Sequence, residues 1–133
     1  MHMALATATL GGTPWVTPVQ VAVEGPDTFW WASPPTARHS RNLVANPQVA
    51  LVAIDPTNTV DPAGAVSCDA WAEQCPDADV DHGLRVLSTR STTHDGRALD
   101  AAMVTGEARL RLYRARASVL DRGTDNDNRK ETS

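Results

Sequence analysis

Three basic side chains, Arg38, His39 and Arg41, fall within a short segment that the sequence predicts to be helical, residues 36–46. Thr36 is predicted as the N-cap of this helix, because its hydroxyl can accept a hydrogen bond from an N–H group of the first turn. Free N–H groups, two guanidinium groups and an imidazole would together form a phosphate site. The same residues would also suit a solvated basic face on a surface helix. The segment alone leaves both interpretations open.

Other catalytic signatures are absent from the sequence. It contains no GxGxxG, GxxxxGK[ST] or GxSxG motif, so the common nucleotide-binding and hydrolase patterns are missing. The four histidines show no HExxH or comparable spacing, so no metal site is predicted. No pair of carboxylates stands out for acid–base chemistry, and no catalytic residue can be assigned. An enzyme built on this chain would rely on a bound cofactor for its reaction.

The elements that must position the basic segment follow from the hydrophobic pattern, which predicts the order β-β-β-α-β-β-α-β. The predicted strands are residues 4–10, 15–23, 28–32, 49–54, 64–75 and 107–117, and the predicted helices are residues 36–46 and 76–90. Polar loops are predicted at 55–62 and 88–96, and a weak helical turn near 98–103. Early hairpins and the clustering of strands favour a mainly β fold, an antiparallel barrel with short helices.

The second predicted strand, residues 15–23, alternates between two faces, of which the more apolar is expected to face the core. That face carries Trp15, Thr17, Val19, Val21 and Val23. Pro18 cannot donate a hydrogen bond to a neighbouring strand, which predicts a bulge or a locally unpaired edge there. A planar ligand could approach the open backbone at such an edge.

In the fifth predicted strand, residues 64–75, Val66, Cys68, Ala70 and Ala72 form an apolar face. Trp71 lies on the opposite, polar face. An indole there indicates a ligand site or a subunit boundary, or else a partly buried structural side chain. Neither Cys68 nor Cys75 belongs to a CxxC motif, so both are predicted to be reduced structural thiols.

The chain has 133 residues, which predicts one domain, residues 1–121, followed by a polar tail, residues 122–133. A core of this size leaves apolar surface for a partner subunit to cover. The net charge of −4 and the single lysine, Lys130, argue against nucleic-acid binding. With no membrane-length apolar run and no signal-peptide pattern, the protein is expected to be cytoplasmic.

Two runs, LATATLGGTPWVTPVQVAV and FWWASPPTARHSRNLVANPQVALVAID, together resemble the pyridoxamine 5′-phosphate oxidase-like FMN-binding split β-barrels. The resemblance lies in the ordered combination of a V-T-P-V strand, an aromatic strand, a basic helix and an N-P-x-V-A-L strand. It implies a split β-barrel of antiparallel Greek-key type. It also implies a homodimer with the cofactor site at the subunit interface.

The resemblance further implies which residues bind the cofactor. Arg38 and His39 take the place of the Arg-Lys pair that holds the FMN phosphate, with Ala37 in the place of the preceding Ser and Arg41 as a further basic candidate. The segment whose backbone lines the isoalloxazine ring matches Val16, Thr17, Pro18 and Val19. The strand end beside the ribityl chain and phosphate matches Trp31, Ala32 and Ser33. Trp71 and Arg111 could come from the second subunit.

These expectations lead to an FMN-dependent oxidoreductase that acts on a small organic substrate by hydride transfer at the flavin. Two alternatives remain open. One is a reductase of the same fold that uses a deazaflavin (F-420 type) cofactor. The other is a non-catalytic flavin- or haem-binding module.

Overall fold

The structure is a computed structural model that describes residues 2–54, 65–90 and 101–122. The described strands are β1 (His2–Ala8), β2 (Pro14–Gln20), β3 (Ala22–Glu24), β4 (Thr28–Ser33), β5 (Gln48–Ile54), β6 (Ala65–Gln74) and β7 (Arg111–Arg122). The helices are α1 (Arg38–Ala45) and α2 (Val80–Arg90), with short 3-10 turns at Asp77–Asp79 and Ala101–Met103. The loop predicted at 55–62, most of that at 88–96 and the tail beyond residue 122 lie outside the described residues.

The seven strands form one sheet in the order β2-β1-β5-β6-β7-β4-β3, and every neighbouring pair is antiparallel. Its two edge strands, β2 and β3, are successive in the chain and are separated by Val21 alone, which is fully buried. One residue can join the two edges only if the sheet curls back on itself. The expected split β-barrel is therefore confirmed.

The barrel interior is filled by one face of each strand, as the two-residue period of a strand requires. Trp31 on β4 and Tyr113 on β7 are direct cross-strand partners, and their rings stack with centroids 5.9 Å apart. The predicted apolar face of β6 contributes Cys68, Ala70 and Ala72, all buried in this core. Its other large members are Met3, Leu5, Val21, Phe29, Leu43 and Leu51.

A second hydrophobic core lies outside the barrel, where α2 packs on β3 and β4. This core also includes Leu112 of β7. The predicted stripe of Val80, Leu84 and Leu87 is buried there against Trp30 and Leu112. β4 and β7 consequently bury side chains on both of their faces.

Several predicted boundaries are wrong. The strand predicted at 15–23 is interrupted at Val21. Pro18, on the edge strand β2, stays in register opposite Ala4 of β1. The strand predicted from residue 107 begins at Arg111. The N-cap of α1 is Ala37 rather than Thr36, and no side chain caps the helix.

Candidate functional site

Within the described residues, the first turn of α1 offers backbone donors that have no partner. Its first helical hydrogen bond runs from the Arg41 N–H to the Ala37 carbonyl at 3.0 Å, so the N–H groups of Arg38, His39 and Ser40 precede the helical ladder. Ala37 has an extended backbone and an apolar side chain, which leaves these donors without a side-chain cap. An anion at this end would be stabilised by the donors and by the helix dipole.

Arg38 contacts the β1–β2 hairpin. Its guanidinium carbon lies 4.2 Å from the centroid of the Trp15 ring on β2, within the range of a cation–π contact. Arg38 is exposed and Trp15 is 39% exposed. A permanent positive charge is therefore held beside the uncapped helix end while remaining accessible to a ligand.

His39 faces the opposite way, toward the end of β4. Its Nε2 atom lies 2.9 Å from the Ser33 hydroxyl, and both residues are buried. Burial lowers the pKa of His39 below its usual value of 6.5, because the charged imidazolium is poorly solvated there. At neutral pH His39 is thus a neutral hydrogen-bonding group rather than a second fixed cation.

Two further side chains hold α1 on the hairpin. Asn42 donates to the Thr7 hydroxyl at 3.0 Å in a buried contact, and Asn46 donates to the Thr9 carbonyl at 3.3 Å. Sequence reasoning missed these residues. The spacing of Arg38, Asn42 and Asn46 at every fourth position would have indicated a common helix face, although nothing local identifies what that face contacts.

Ser40 is fully buried in the first turn of α1, and its hydroxyl has no hydrogen-bond partner within the described residues. With the uncapped N–H groups and Arg38, this makes an end of the helix that is rich in donors and short of acceptors. The residues therefore fit a phosphate-bearing cofactor. The site carries less positive charge than the sequence predicts, because the lowered pKa of His39 keeps it neutral.

β2 lies next to this end of α1 and presents an open edge. In the described sheet it pairs with β1 alone. Val16 is 63% exposed and Pro18 is exposed, whereas Thr17 and Val19 are partly buried toward the barrel. The predicted inward face of this segment is correct for Val19, which packs on the core, and wrong for Trp15, which is exposed. Its backbone edge remains available to a planar ligand.

The other predicted site residues on β4 differ in what they expose. Trp31 is fully buried in the barrel, and its indole N–H has no partner within the described residues. Ala32 is partly exposed and Ser33 is buried. The ring of Trp31 is therefore enclosed in the barrel and is not exposed to a ligand outside it.

The three remaining predicted site residues, Arg41, Arg111 and Trp71, each have different surroundings from Arg38. Arg41 is exposed on α1. Arg111 lies directly opposite Ser33 in the sheet, but its guanidinium turns back to its own loop and donates to the carbonyls of Ala108 (2.6 Å), Leu110 (2.8 Å) and Gly106.

Trp71 is 54% exposed on β6, which is compatible with a ligand site or subunit boundary and equally with a partly buried structural side chain. It borders an open cavity of about 290 Å³ whose other lining residues are Pro47, Ala72, Glu73, Arg114 and Arg116. The structure of the single chain does not join this cavity to the first turn of α1.

Comparison with known protein families shows which family the chain belongs to. The model of the pyridoxamine 5′-phosphate oxidase family matches residues 2–125, and the chain belongs to that family. Its members bind flavin-type cofactors, which agrees with the resemblance of the two sequence runs. No curated protein sequence matches the chain significantly.

Solved structures share the fold at low sequence identity. An F420 reductase is 24% identical with a TM-score of 0.63, over 91% of this chain and 89% of that chain. HutZ, the haem storage protein of Vibrio cholerae, is 23% identical with a TM-score of 0.70, over 92% and 85%. A haem-binding protein of Mycobacterium smegmatis is 18% identical with a TM-score of 0.66, over 92% and 52%. At these identities the likeness shows the fold alone.

Within the described residues, none of the helices has the length and apolar character needed to span a membrane. The described part of the chain also brings together no group of three potential metal ligands.

Proposed function

We propose that the protein is a homodimeric, cytoplasmic flavoprotein that binds FMN and acts as an oxidoreductase on a small organic substrate. The observation that carries the proposal is the uncapped first turn of α1, where Arg38 and free N–H groups lie beside the open edge of β2. When bound, FMN supplies the electron-transfer chemistry.

The residues of this chain would bind and orient the cofactor. Arg38 and the N–H groups of the first turn would hold the phosphate by charge-assisted hydrogen bonds. The contact between His39 and Ser33 would fix the turn against β4. The backbone of Val16–Val19 would lie along the flavin ring, and its position in the barrel wall would limit access of water.

The dimer is supported by the distribution of exposed apolar side chains. Leu10, Val16, Val44 and Trp71 are each more than half exposed. Trp71 and Arg111 would complete the site from the second subunit. A net charge of −4 gives no support to nucleic acid as a partner.

A deazaflavin cofactor is the second candidate. The neutral His39 leaves less positive charge for a terminal phosphate than an Arg-Lys pair would, and an F420 reductase shares the fold. Two haem proteins also share the fold, so haem is included in the same binding test. Binding of haem would indicate a non-catalytic module.

The test is a set of binding titrations on cofactor-stripped protein with FMN, riboflavin, a deazaflavin cofactor and haem. We expect saturable FMN binding, and Arg38→Ala should weaken it about tenfold or more, since a charge-assisted contact is worth over about 1.4 kcal/mol. Riboflavin, which lacks the phosphate, should be unaffected by that change. Arg109→Ala is the matched control, because Arg109 is an exposed arginine that belongs to neither α1 nor β2. Binding of the deazaflavin or of haem without FMN would overturn the proposal.

A further inference from the structure

Trp15 belongs to a contact pattern that ties α1 to the β1–β2 hairpin. Arg38 and Asn42 lie four residues apart on α1, and Asn46, four residues further on, is its C-cap. They contact Trp15, Thr7 and Thr9 respectively. Thr7 and Trp15 are direct cross-strand partners in the hairpin. One face of the helix is therefore fixed on one rung of the sheet.

The contact between Arg38 and Trp15 constrains the guanidinium without consuming its donors. The guanidinium carbon lies over the indole ring at 4.2 Å. A guanidinium carries its N–H donors in its own plane, so stacking on an aromatic face leaves those donors free for an anion. Trp15 is 39% exposed, so the platform that it provides stands at the protein surface.

Without this platform Arg38 would be a long side chain on an exposed helix end, free to sample several rotamers. Ordering such a side chain on ligand binding costs conformational entropy. Within the described residues, the guanidinium of Arg38 contacts the indole of Trp15. Trp15 thus supplies a preorganisation that the helix turn alone does not.

We propose that Trp15 is a positioning residue, an indole platform that holds Arg38 ready for the phosphate of the cofactor. The inference rests on the proposed function. It adds that affinity for the phosphate depends on the hairpin as well as on α1, because Asn42 and Thr7 lock the same rung in place.

The test compares FMN with riboflavin in four variants: Trp15→Phe, Trp15→Leu, Arg38→Ala and the double variant Trp15→Leu/Arg38→Ala. Leucine keeps an apolar side chain but has no aromatic face, whereas phenylalanine keeps the face. Trp15→Leu should weaken FMN binding about two- to fivefold, the size of an exposed cation–π contact. Trp15→Phe should recover most of that loss. Riboflavin affinity should not change, which also shows that the variants are folded.

The double variant isolates the coupling between the two side chains. If Trp15 acts through Arg38, Trp15→Leu should have no further effect on FMN binding once Arg38 is alanine. Equal losses for FMN and riboflavin would show that Trp15 contacts the ring or only supports the fold, and would overturn the inference. If Trp15→Leu leaves FMN binding unchanged, the inference about Trp15 is overturned but the proposed function is not. If the wild-type protein binds no FMN, both are overturned.

Discussion

The Nε2 atom of His39 lies 2.9 Å from the hydroxyl oxygen of Ser33, joining the first turn of α1 to the last residue of β4. His39 is 8% exposed and Ser33 is 4% exposed. Burial therefore keeps the pKa of His39 below its usual value. The side chain that resembles half of a cationic phosphate clamp is, in the free protein, a neutral link between two elements.

This relationship makes stability depend on pH. In the unfolded chain His39 has a pKa near 6.5, and in the folded protein its pKa is lower. As the pH falls below about 6.5, the unfolded state takes up this proton more readily than the folded state, so the folded state loses stability until the pH passes below the folded pKa. We expect the fall in Tm between pH 7.5 and pH 5.5 to be larger in the wild type than in His39→Gln.

Glutamine offers Ser33 a hydrogen-bonding amide but does not titrate. The other three histidines are unchanged in both proteins, so an equal pH dependence would rule out His39 as its source.

Gly83 allows α2 to pack closely on the sheet. A Cβ atom at this position would lie 2.6 Å from both Trp30 Cζ3 and Leu112 Cδ2. Trp30 is 2% exposed and donates its indole N–H to Glu24 at 3.0 Å, so it has little room to move. Alanine is favoured over glycine in a helix by about 1 kcal/mol, but overpacking costs about 1–3 kcal/mol. Because Trp30 is held in place, we expect Gly83→Ala to lower the free energy of unfolding by about 1–2 kcal/mol in urea titrations.

Gly11→Ala is the control for that measurement, because the nearest atom to its added Cβ would be Thr9 Oγ1 at an ordinary 3.8 Å. It should change stability much less. An increase in stability for Gly83→Ala would mean that α2 can shift outward and that helix propensity outweighs packing at this position.

The strand pattern and the placement of the basic helix could be read from the sequence because they depend on local features. The hydrophobic pattern predicts each described strand except the separate short strand β3, and the stripe of Val80, Leu84 and Leu87 predicts α2. The prediction fails where apolar and polar residues alternate but the segment does not pair with a neighbouring strand. Residues 107–110 alternate as a strand would, yet they lie in the loop whose carbonyls accept hydrogen bonds from Arg111.

The candidate site was less accessible to sequence reasoning because its contacts join distant parts of the chain. Arg38 and His39 are adjacent in sequence, but consecutive helix residues project about 100° apart, so one contacts β2 and the other contacts β4. Asn42 and Thr7 are 35 residues apart, and no local motif announces their hydrogen bond. Any contribution of Trp71 and Arg111 across a dimer stays a prediction.

Arg114 fastens the start of α2 to the barrel. Its guanidinium lies 2.6 Å from Glu73 and 2.8 Å from Asp79, the last residue of the 3-10 turn before α2, and its side chain is only 11% exposed. Arg114→Met should keep much of the packing but leave both carboxylates without this partner. Since the side chains of Glu73 and Asp79 are 53% and 44% exposed, water can partly solvate them. We expect a loss of about 1–2 kcal/mol in the free energy of unfolding, below the cost of breaking a fully buried ion pair.

Arg116→Met serves as the control for Arg114→Met, because Arg116 is an exposed arginine on the same strand. It should change stability by less than about 0.5 kcal/mol. A double-mutant cycle of Arg114→Met with Asp79→Asn should give a positive coupling energy, and strict additivity would show that the ion pair contributes nothing to docking of α2.

Cys68 and Cys75 should be unreactive in the folded protein. Both are free and buried, and burial raises the pKa of each thiol to about 11. Because the thiolate is the reactive species, almost all of both side chains is in the inert thiol form at pH 7.5. We expect iodoacetamide to label neither residue appreciably in native buffer, and to label both within the same time in 8 M urea, where the ordinary pKa of about 8.5 is restored. Fragmentation mass spectrometry distinguishes the two sites, since they lie seven residues apart in the sequence. Fast native labelling of Cys75 alone would show that the junction between β6 and the 3-10 turn opens without unfolding of the barrel.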